Sequence, residues 1–232
     1  MKRKLIALLT ATVCALSACS ALAACGDDEN GGNESGITEN TKFDSIVSER
    51  VETAEAWSAA FNFGDVTSMS CRWVGEDSVD EYISRATFYF KDNKGYLTID
   101  EGDERTEGYM YLDGLTLYSL RFDESMSKWV KQGKTVNLDT VCVQARMFDP
   151  LSQYCYHLNL AEKFADFTYD EDVKGYVYFN EYEPDHIDYV IKFYGGKLAA
   201  VRYDAVVEKE ELLIFDIGRT KKINIPAKAV EA

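Results

Sequence analysis

Asp170, Asp172, Gly175 and Glu181 stand at positions 1, 3, 6 and 12 of a twelve-residue loop, the spacing with which oxygen ligands surround calcium. Lys174 holds position 5, however, and puts an ammonium where that loop needs an oxygen. The flanks, Phe164–Tyr169 and Tyr176–Tyr182, alternate with period two, so the reading is an acidic hairpin turn with Gly175 at its left-handed position. Gly133-Lys134-Thr135 matches the end of a phosphate-binding loop, but Lys128 occupies the place of its first glycine, and a plain turn is expected. His157 and His186 are the two histidines. On a helix Cys155 and His157 point about 200° apart, and on a strand His186 faces away from Asp185, so neither pair grips one metal. No nucleophile elbow or catalytic-cysteine pattern lies near either histidine. The 40 acidic residues offer many carboxylate pairs for glycoside chemistry, yet nothing in their spacing selects one. The chain is therefore expected to be non-enzymatic, with no catalytic residue, metal or cofactor.

Cysteine carries the clearest chemistry. Lys2, Arg3 and Lys4 precede an apolar run from Leu5 to Leu16, which is shorter than the ~20 residues that span a bilayer and reads as an export signal. The run leads to Leu22-Ala23-Ala24-Cys25, similar to the box at which bacterial lipoproteins are acylated and cleaved; Leu16-Ser17-Ala18-Cys19 is a second match. Cys25 is the favoured lipidation site, because the acidic, glycine-rich sequence begins directly after it, and Cys19 is the alternative. This predicts a signal peptide over 1–24 and a protein held by lipid on the outer face of the bacterial cell membrane. Cys71, Cys142 and Cys155 remain as side-chain thiols. An odd number argues against a full disulfide framework; Cys142 and Cys155, on the inward faces of two adjacent helices, could close one bridge, with buried free thiols the simpler state.

The elements that position these residues follow from composition and period. The chain has 232 residues, 46% of them hydrophobic and only 3 Pro, which suits one globular domain. Beyond the three leading cations, 22 basic residues face 40 acidic ones, which argues against a nucleic-acid partner. Residues 26–40 carry one apolar side chain, Ile37, and read as a flexible acidic tether, so 25–40 is the lipidated cysteine and its linker. The single domain is expected over 41–232. Phe43, Ile46, Val47, Val51, Ala54, Trp57 and Phe61 recur at helical spacing and predict one amphipathic helix of about five turns.

After Gly64 the period becomes two. Strands are expected around Met69–Trp73, Tyr82–Phe90, Tyr96–Asp100, Tyr109–Leu112 and Leu115–Phe122, with Asp113-Gly114 as a two-residue hairpin loop. Met110, Leu112, Leu115 and Leu117 then share one face, while Tyr109, Tyr111, Thr116 and Tyr118 share the other. Leu138, Val141, Cys142, Ala145 and Phe148 suggest a helix, and Asp149-Pro150 opens a second through Leu158. Strands return at Phe164–Tyr169, Tyr176–Tyr182, Ile187–Tyr194 and Lys197–Val207, the last two joined by Gly195-Gly196, and then at Leu212–Ile217 and Lys222–Ile225. With no βαβ alternation, an α+β fold with an antiparallel sheet is predicted. The core is expected to hold Trp57, Phe61, Met69, Trp73, Phe88, Leu112, Leu115, Leu117, Leu138, Val141, Leu158, Phe193 and Leu198.

This order resembles the LolA/LppX-like superfamily of bacterial lipoproteins. The resemblance rests most on Tyr194-Gly195-Gly196-Lys197-Leu198, Phe215-Asp216-Ile217-Gly218-Arg219-Thr220 and Ile223-Asn224-Ile225-Pro226, a final strand of the form I-x-I-P after a glycine turn. It implies a strongly curved, open half-barrel with the N-terminal helix and a helix pair on its concave face, and an apolar cavity between them. Trp57, Phe61, Met69, Trp73, Phe88, Leu112 and Leu115 would line that cavity around a lipid-like ligand. The alternative is an envelope scaffold whose Tyr-rich outer face recognises a protein or glycan, with the cavity filled.

Overall fold

The computed structural model describes residues 36–63, 66–77, 82–114, 116–135, 160–183, 186–205 and 208–231. They form a single, mixed, unclosed sheet of 12 strands with one α-helix. The first six strands, β1 (Ser68–Asp77), β2 (Tyr82–Lys91), β3 (Lys94–Glu101), β4 (Glu104–Asp113), β5 (Thr116–Asp123) and β6 (Lys128–Thr135), follow one another as a meander. A second meander comprises β7 (Thr168–Asp170), β8 (Gly175–Phe179), β9 (Ile187–Tyr194), β10 (Lys197–Asp204) and β11 (Glu208–Phe215), and β11 pairs with β1 to join the two. Tight turns set the registers. Asp92 and Asn93 take φ of 50° and 61° between β2 and β3, and Gly195 and Gly196 take 61° and 68° between β9 and β10, the left-handed values that primed hairpin turns require.

The sheet is not purely antiparallel. β12 (Ala229–Glu231) pairs parallel with β6 at the far edge, because the chain leaves β11 at the middle of the sheet and must cross before it can pair again. The crossing is pinned at Thr220, whose hydroxyl meets Ser70 at 3.1 Å and whose carbonyl accepts from Lys91 at 2.9 Å. The expected strand Lys222–Ile225 lies within this crossing and pairs with no described strand. Two smaller registers also differ from expectation. Asp113 pairs with Thr116 rather than belonging to the loop, and Gly114 takes φ 56°. Phe164–Asp166 is a 3-10 turn, and only Thr168–Asp170 pairs as a strand.

Strand alternation produces two apolar clusters on opposite faces of the β1 and β8–β11 half. Trp57, Met69, Phe88, Phe90, Ile191, Phe193, Leu198, Leu212 and Ile214 are buried on the first face. Phe43, Ile46, Val177, Val190, Ala200, Leu213 and Phe215 are buried on the second. This explains why the predicted five-turn helix is absent. Only Ala54–Ala60, α1, is α-helical, started by Thr53, whose hydroxyl accepts the Ala56 N–H at 3.1 Å. Phe43–Ser45 is a 3-10 turn and 46–52 is neither helix nor strand. Phe43 and Ile46 serve one face of the sheet while Trp57 and Phe61 serve the other, so the helical spacing joined two separate burials. Between them the Ser48 N–H donates to the Lys174 carbonyl at 3.0 Å and the Glu49 N–H to that of Phe193 at 2.9 Å. The Glu49 carboxylate accepts the Gly195 and Gly196 N–H groups, each at 2.8 Å.

The same strap starts earlier than the expected boundary at Thr41. Ile37 packs on the second cluster and its carbonyl accepts the Asp216 N–H, while Glu39 receives Arg72 at its carbonyl and the Tyr89 hydroxyl at its carboxylate. The lone apolar side chain of the acidic stretch is thus an attachment point. Lys192, on β9 beneath the strap, is 1% exposed; its ammonium donates to the Ile46 carbonyl at 2.7 Å and that of Phe43 at 3.3 Å.

Of the expected core, Trp57, Phe61, Met69, Phe88, Phe193 and Leu198 are buried; Trp73, Leu112 and Leu117 are only partly so. Leu115, Leu138, Val141 and Leu158 lie outside the described residues, as do the expected helix pair and Cys19, Cys25, Cys142 and Cys155. Cys71 is a buried free thiol whose pKa burial raises well above the ordinary range.

Candidate functional site

Trp57, Phe61, Met69 and Phe88, expected around a cavity, instead pack against one another and their neighbours. Trp57 is fully enclosed by Phe61, Phe164, Phe167, Tyr176 and Phe193, with ring centroids 4.9 to 5.7 Å away. Among the described residues the space between α1 and the sheet is filled by these rings. Trp73 and Leu112 lie further out on the same face, and the Trp73 ring lies over Gly75, where a Cβ would come within 2.5 Å of it.

The calcium-like residues do not converge. The Asp170 carboxylate accepts the N–H groups of Asp172 and Val173 at 2.9 and 2.8 Å and so caps its own turn, while Glu181 lies beyond the far end of β8. Lys174, with φ 54°, is the left-handed residue of this turn. Gly175 is needed for a different reason: a Cβ there would stand 3.1 Å from the Ile191 carbonyl oxygen. His186 Nε2 lies 2.7 Å from the Asp204 carbonyl oxygen and 3.7 Å from Asp188. No group of three or more metal-ligating side chains occurs among the described residues. An open groove of about 410 Å³ on the second face is lined by Asp44, Asp188, Arg202 and Asp204. These four are engaged within the protein: Arg202 meets Asp44 at 2.9 Å, Lys209 meets Asp204 at 2.8 Å, and Asn180 donates to Asp188 at 3.0 Å. The Arg202 hydrogen bond holds the Asp44 carboxyl below its usual range.

The strongest constellation is aromatic. β2 to β6 each contribute one ring to a row on the second face: Tyr89, Tyr96, Tyr109, Phe122 and Trp129. Centroids are 5.8 Å apart for Tyr89–Tyr96, 4.7 Å for Tyr96–Tyr109, 5.1 Å for Tyr109–Trp129 and 5.5 Å for Trp129–Phe122. At about 4.8 Å per strand, five strands carry the row across roughly 19 Å. Beside it Tyr111 stacks on Tyr118 at 4.9 Å, with Lys131 over the Tyr118 ring at 4.7 Å. Phe122 is 46% exposed and the tyrosines are half-buried. Arg105 brackets the row, 3.6 Å from Asp100 and 3.4 Å from Glu107. The sequence placed Tyr109, Tyr111 and Tyr118 on this face, and the structure keeps them there. It missed Tyr89, Tyr96, Phe122 and Trp129, although two-residue alternation through the tight turns would have carried the same parity to them.

Burial raises the pKa of each of Tyr89, Tyr96 and Tyr109, and the Glu39 or Glu107 carboxylate beside each adds to the effect. For Tyr89 the value is pushed up from 10.0 to about 12. Because the folded value lies above the unfolded one, Tyr89 stabilises the fold fully below pH 10 and loses that contribution as pH rises from 10.0 to about 12. Tyrosinate absorbance followed against pH is expected to show a late step that Tyr89→Phe removes; a Tyr89→Phe curve identical in shape to wild type, scaled for one fewer tyrosine, would refute the assignment.

No family model matches the chain, and no curated protein matches its sequence.

Proposed function

We propose that this chain is a non-enzymatic recognition module of the bacterial envelope, tethered to the outer face of the membrane through lipidated Cys25, which binds a partner protein through the aromatic face of β2–β6. The observation that carries the reading is the five-strand row of rings with its Arg105 bracket, since Tyr, Trp, Phe and Arg are the residues that surfaces enrich where they bind other proteins. The filled space beneath α1 supports it further, because it leaves no apolar cavity there among the described residues. The test uses a photo-crosslinking side chain at Tyr118 or Phe122 in intact cells, with one at Thr106, on the opposite face of β4, as control. One discrete adduct from the first two positions, lost when Tyr109 and Trp129 are also replaced by Ser, is the expected result. Adducts equal at all three positions, or none, would count against the reading.

A second reading, binding of a lipid-like apolar ligand, has its own observation. Trp73, Leu97, Met110 and Leu117 lie partly buried on the first face and continue the core outward along β1 and β3–β5. It goes with the finer fold reading, a sheet strongly curved into the open half-barrel of the LolA/LppX-like proteins, with a helix pair from 138–158 over that face. An acyl mass that co-purifies in native mass spectrometry, and that Leu97→Asp removes from a protein still folded, would move the function to this face.

A further inference from the structure

At two places among the described residues an arginine lies against both an aromatic ring and a neighbouring carboxylate. The Arg50 guanidinium lies 4.0 Å from the Tyr169 ring centroid and is ion-paired with Glu171. The Arg202 guanidinium lies 4.0 Å from the Phe43 centroid and 2.9 Å from Asp44. In each case the ring face attracts the cation while the carboxylate takes its N–H groups, so the two interactions act on one planar group.

The turn between β8 and β9 presents a third set of the same parts. Tyr182 stands between Glu181 and Glu183 in the chain and is 90% exposed, while Phe179 is 44% exposed; the Glu181 carboxylate also accepts the Tyr178 hydroxyl at 3.4 Å. No cation of the described residues stands over its ring. The described residues of the turn are nevertheless tied together by hydrogen bonds. The Asn180 side-chain oxygen accepts the Tyr182 and Glu183 N–H groups at 2.8 and 3.0 Å, and its amide donates to both Asp188 oxygens at 3.0 and 3.1 Å. The Asn180 N–H donates to the His186 carbonyl at 2.9 Å, and the His186 N–H to that of Glu183 at 2.8 Å. A ring so exposed adds little to folding, and a turn so fixed loses little further entropy when something binds it.

We infer that Tyr182, flanked by Glu181 and Glu183, is a receptor for an arginine side chain on a partner protein. Charge selects the occupant. Two glutamates beside the ring repel an anionic lipid surface, and a second copy of a chain of net charge −15 is repelled as a whole. This site lies on a turn outside the β2–β6 row, and its test is independent of that reading.

The test measures binding of three peptides to the full chain in detergent micelles: alternating Arg and Gly, the same with Lys, and the same with uncharged citrulline. The Arg peptide is expected to bind best and the citrulline peptide worst. Tyr182→Ala should weaken the Arg peptide about threefold to tenfold, the range for a cation over a ring. Tyr182→Phe, which keeps the ring, should change it less than about twofold on the same grounds. Glu124→Gln, a remote acid, should leave it unchanged. Equal loss in Tyr182→Ala and Glu124→Gln would show general attraction to an acidic protein and overturn the inference. So would Lys binding as tightly as Arg, or binding of phosphatidylglycerol vesicles that depends on Tyr182.

Discussion

Trp57→Ala is expected to cost about 3–5 kcal/mol of unfolding free energy, the largest single effect in the molecule. Trp57 has no exposed surface, and it is the common neighbour of five aromatic rings from α1, the 3-10 turn at Phe164, β7's approach, β8 and β9. Its indole N–H also donates to the Leu160 carbonyl at 2.6 Å, tying α1 to the chain that enters the second meander. Removing the ring therefore leaves a cavity that several rigid neighbours cannot close, and it takes from the Leu160 carbonyl the closer of two donors, leaving the Lys163 N–H at 3.2 Å. Trp57→Phe restores most of the volume but not the donor, and should cost about 1–3 kcal/mol. Urea unfolding at constant m-value is the measurement. A cost below about 1 kcal/mol for the alanine variant would mean that α1 docks by other contacts and that the space it covers readily collapses or fills.

This prediction also marks what was legible in the sequence. Burial of Trp57 and Phe61 was readable because a helix face and a core side chain obey the same spacing rule. The helix length was not, because Phe43 and Ile46 keep that spacing by chance of burial on the opposite face of the sheet. Periodicity reports that side chains are buried, not into which cluster. The hairpins at Asp92-Asn93 and Gly195-Gly196 were readable because left-handed turns restrict residue type. The parallel pairing of β12 with β6 was not, since three residues carry too little pattern and a long crossing fixes their place. For the candidate site, the hairpin of β4 and β5 exposed its Tyr face directly. Extending that face to Tyr89 and Trp129 needs the register of three further strand pairings, and register is set by turns acting together with both clusters. The strap was hidden for another reason. Its attachments are carbonyls and N–H groups of residues whose side chains read as an acidic linker, and backbone pairing leaves no trace in composition.

Lys192 tests how that strap is held. Lys192→Ala is expected to cost about 2–4 kcal/mol, because a buried four-carbon stem and the Ile46 carbonyl's donor vanish together. Lys192→Met keeps the stem and should cost only about 1 kcal/mol at neutral pH, since losing the carbonyl bonds is offset by no longer burying a charge. The pH dependence separates the two contributions. Burial lowers the Lys192 pKa below its ordinary 10.5, and the nearby Asp44 carboxylate only partly opposes this. Between the lowered folded value and 10.5 the unfolded chain binds more protons than the folded one, so unfolding free energy rises with pH in that window. Below the window the cost of the buried ammonium is fully present and constant; above 10.5 it is gone. Tyr89 acts in the opposite direction between pH 10.0 and about 12, but it is common to both proteins and cancels in their difference. The stability of wild type relative to Lys192→Met should thus be flat near neutrality and grow as pH approaches 10.5. A difference that shrinks over that range would show instead that the ammonium itself, rather than the stem beneath the strap, holds Phe43 and Ile46 on the second face of the sheet.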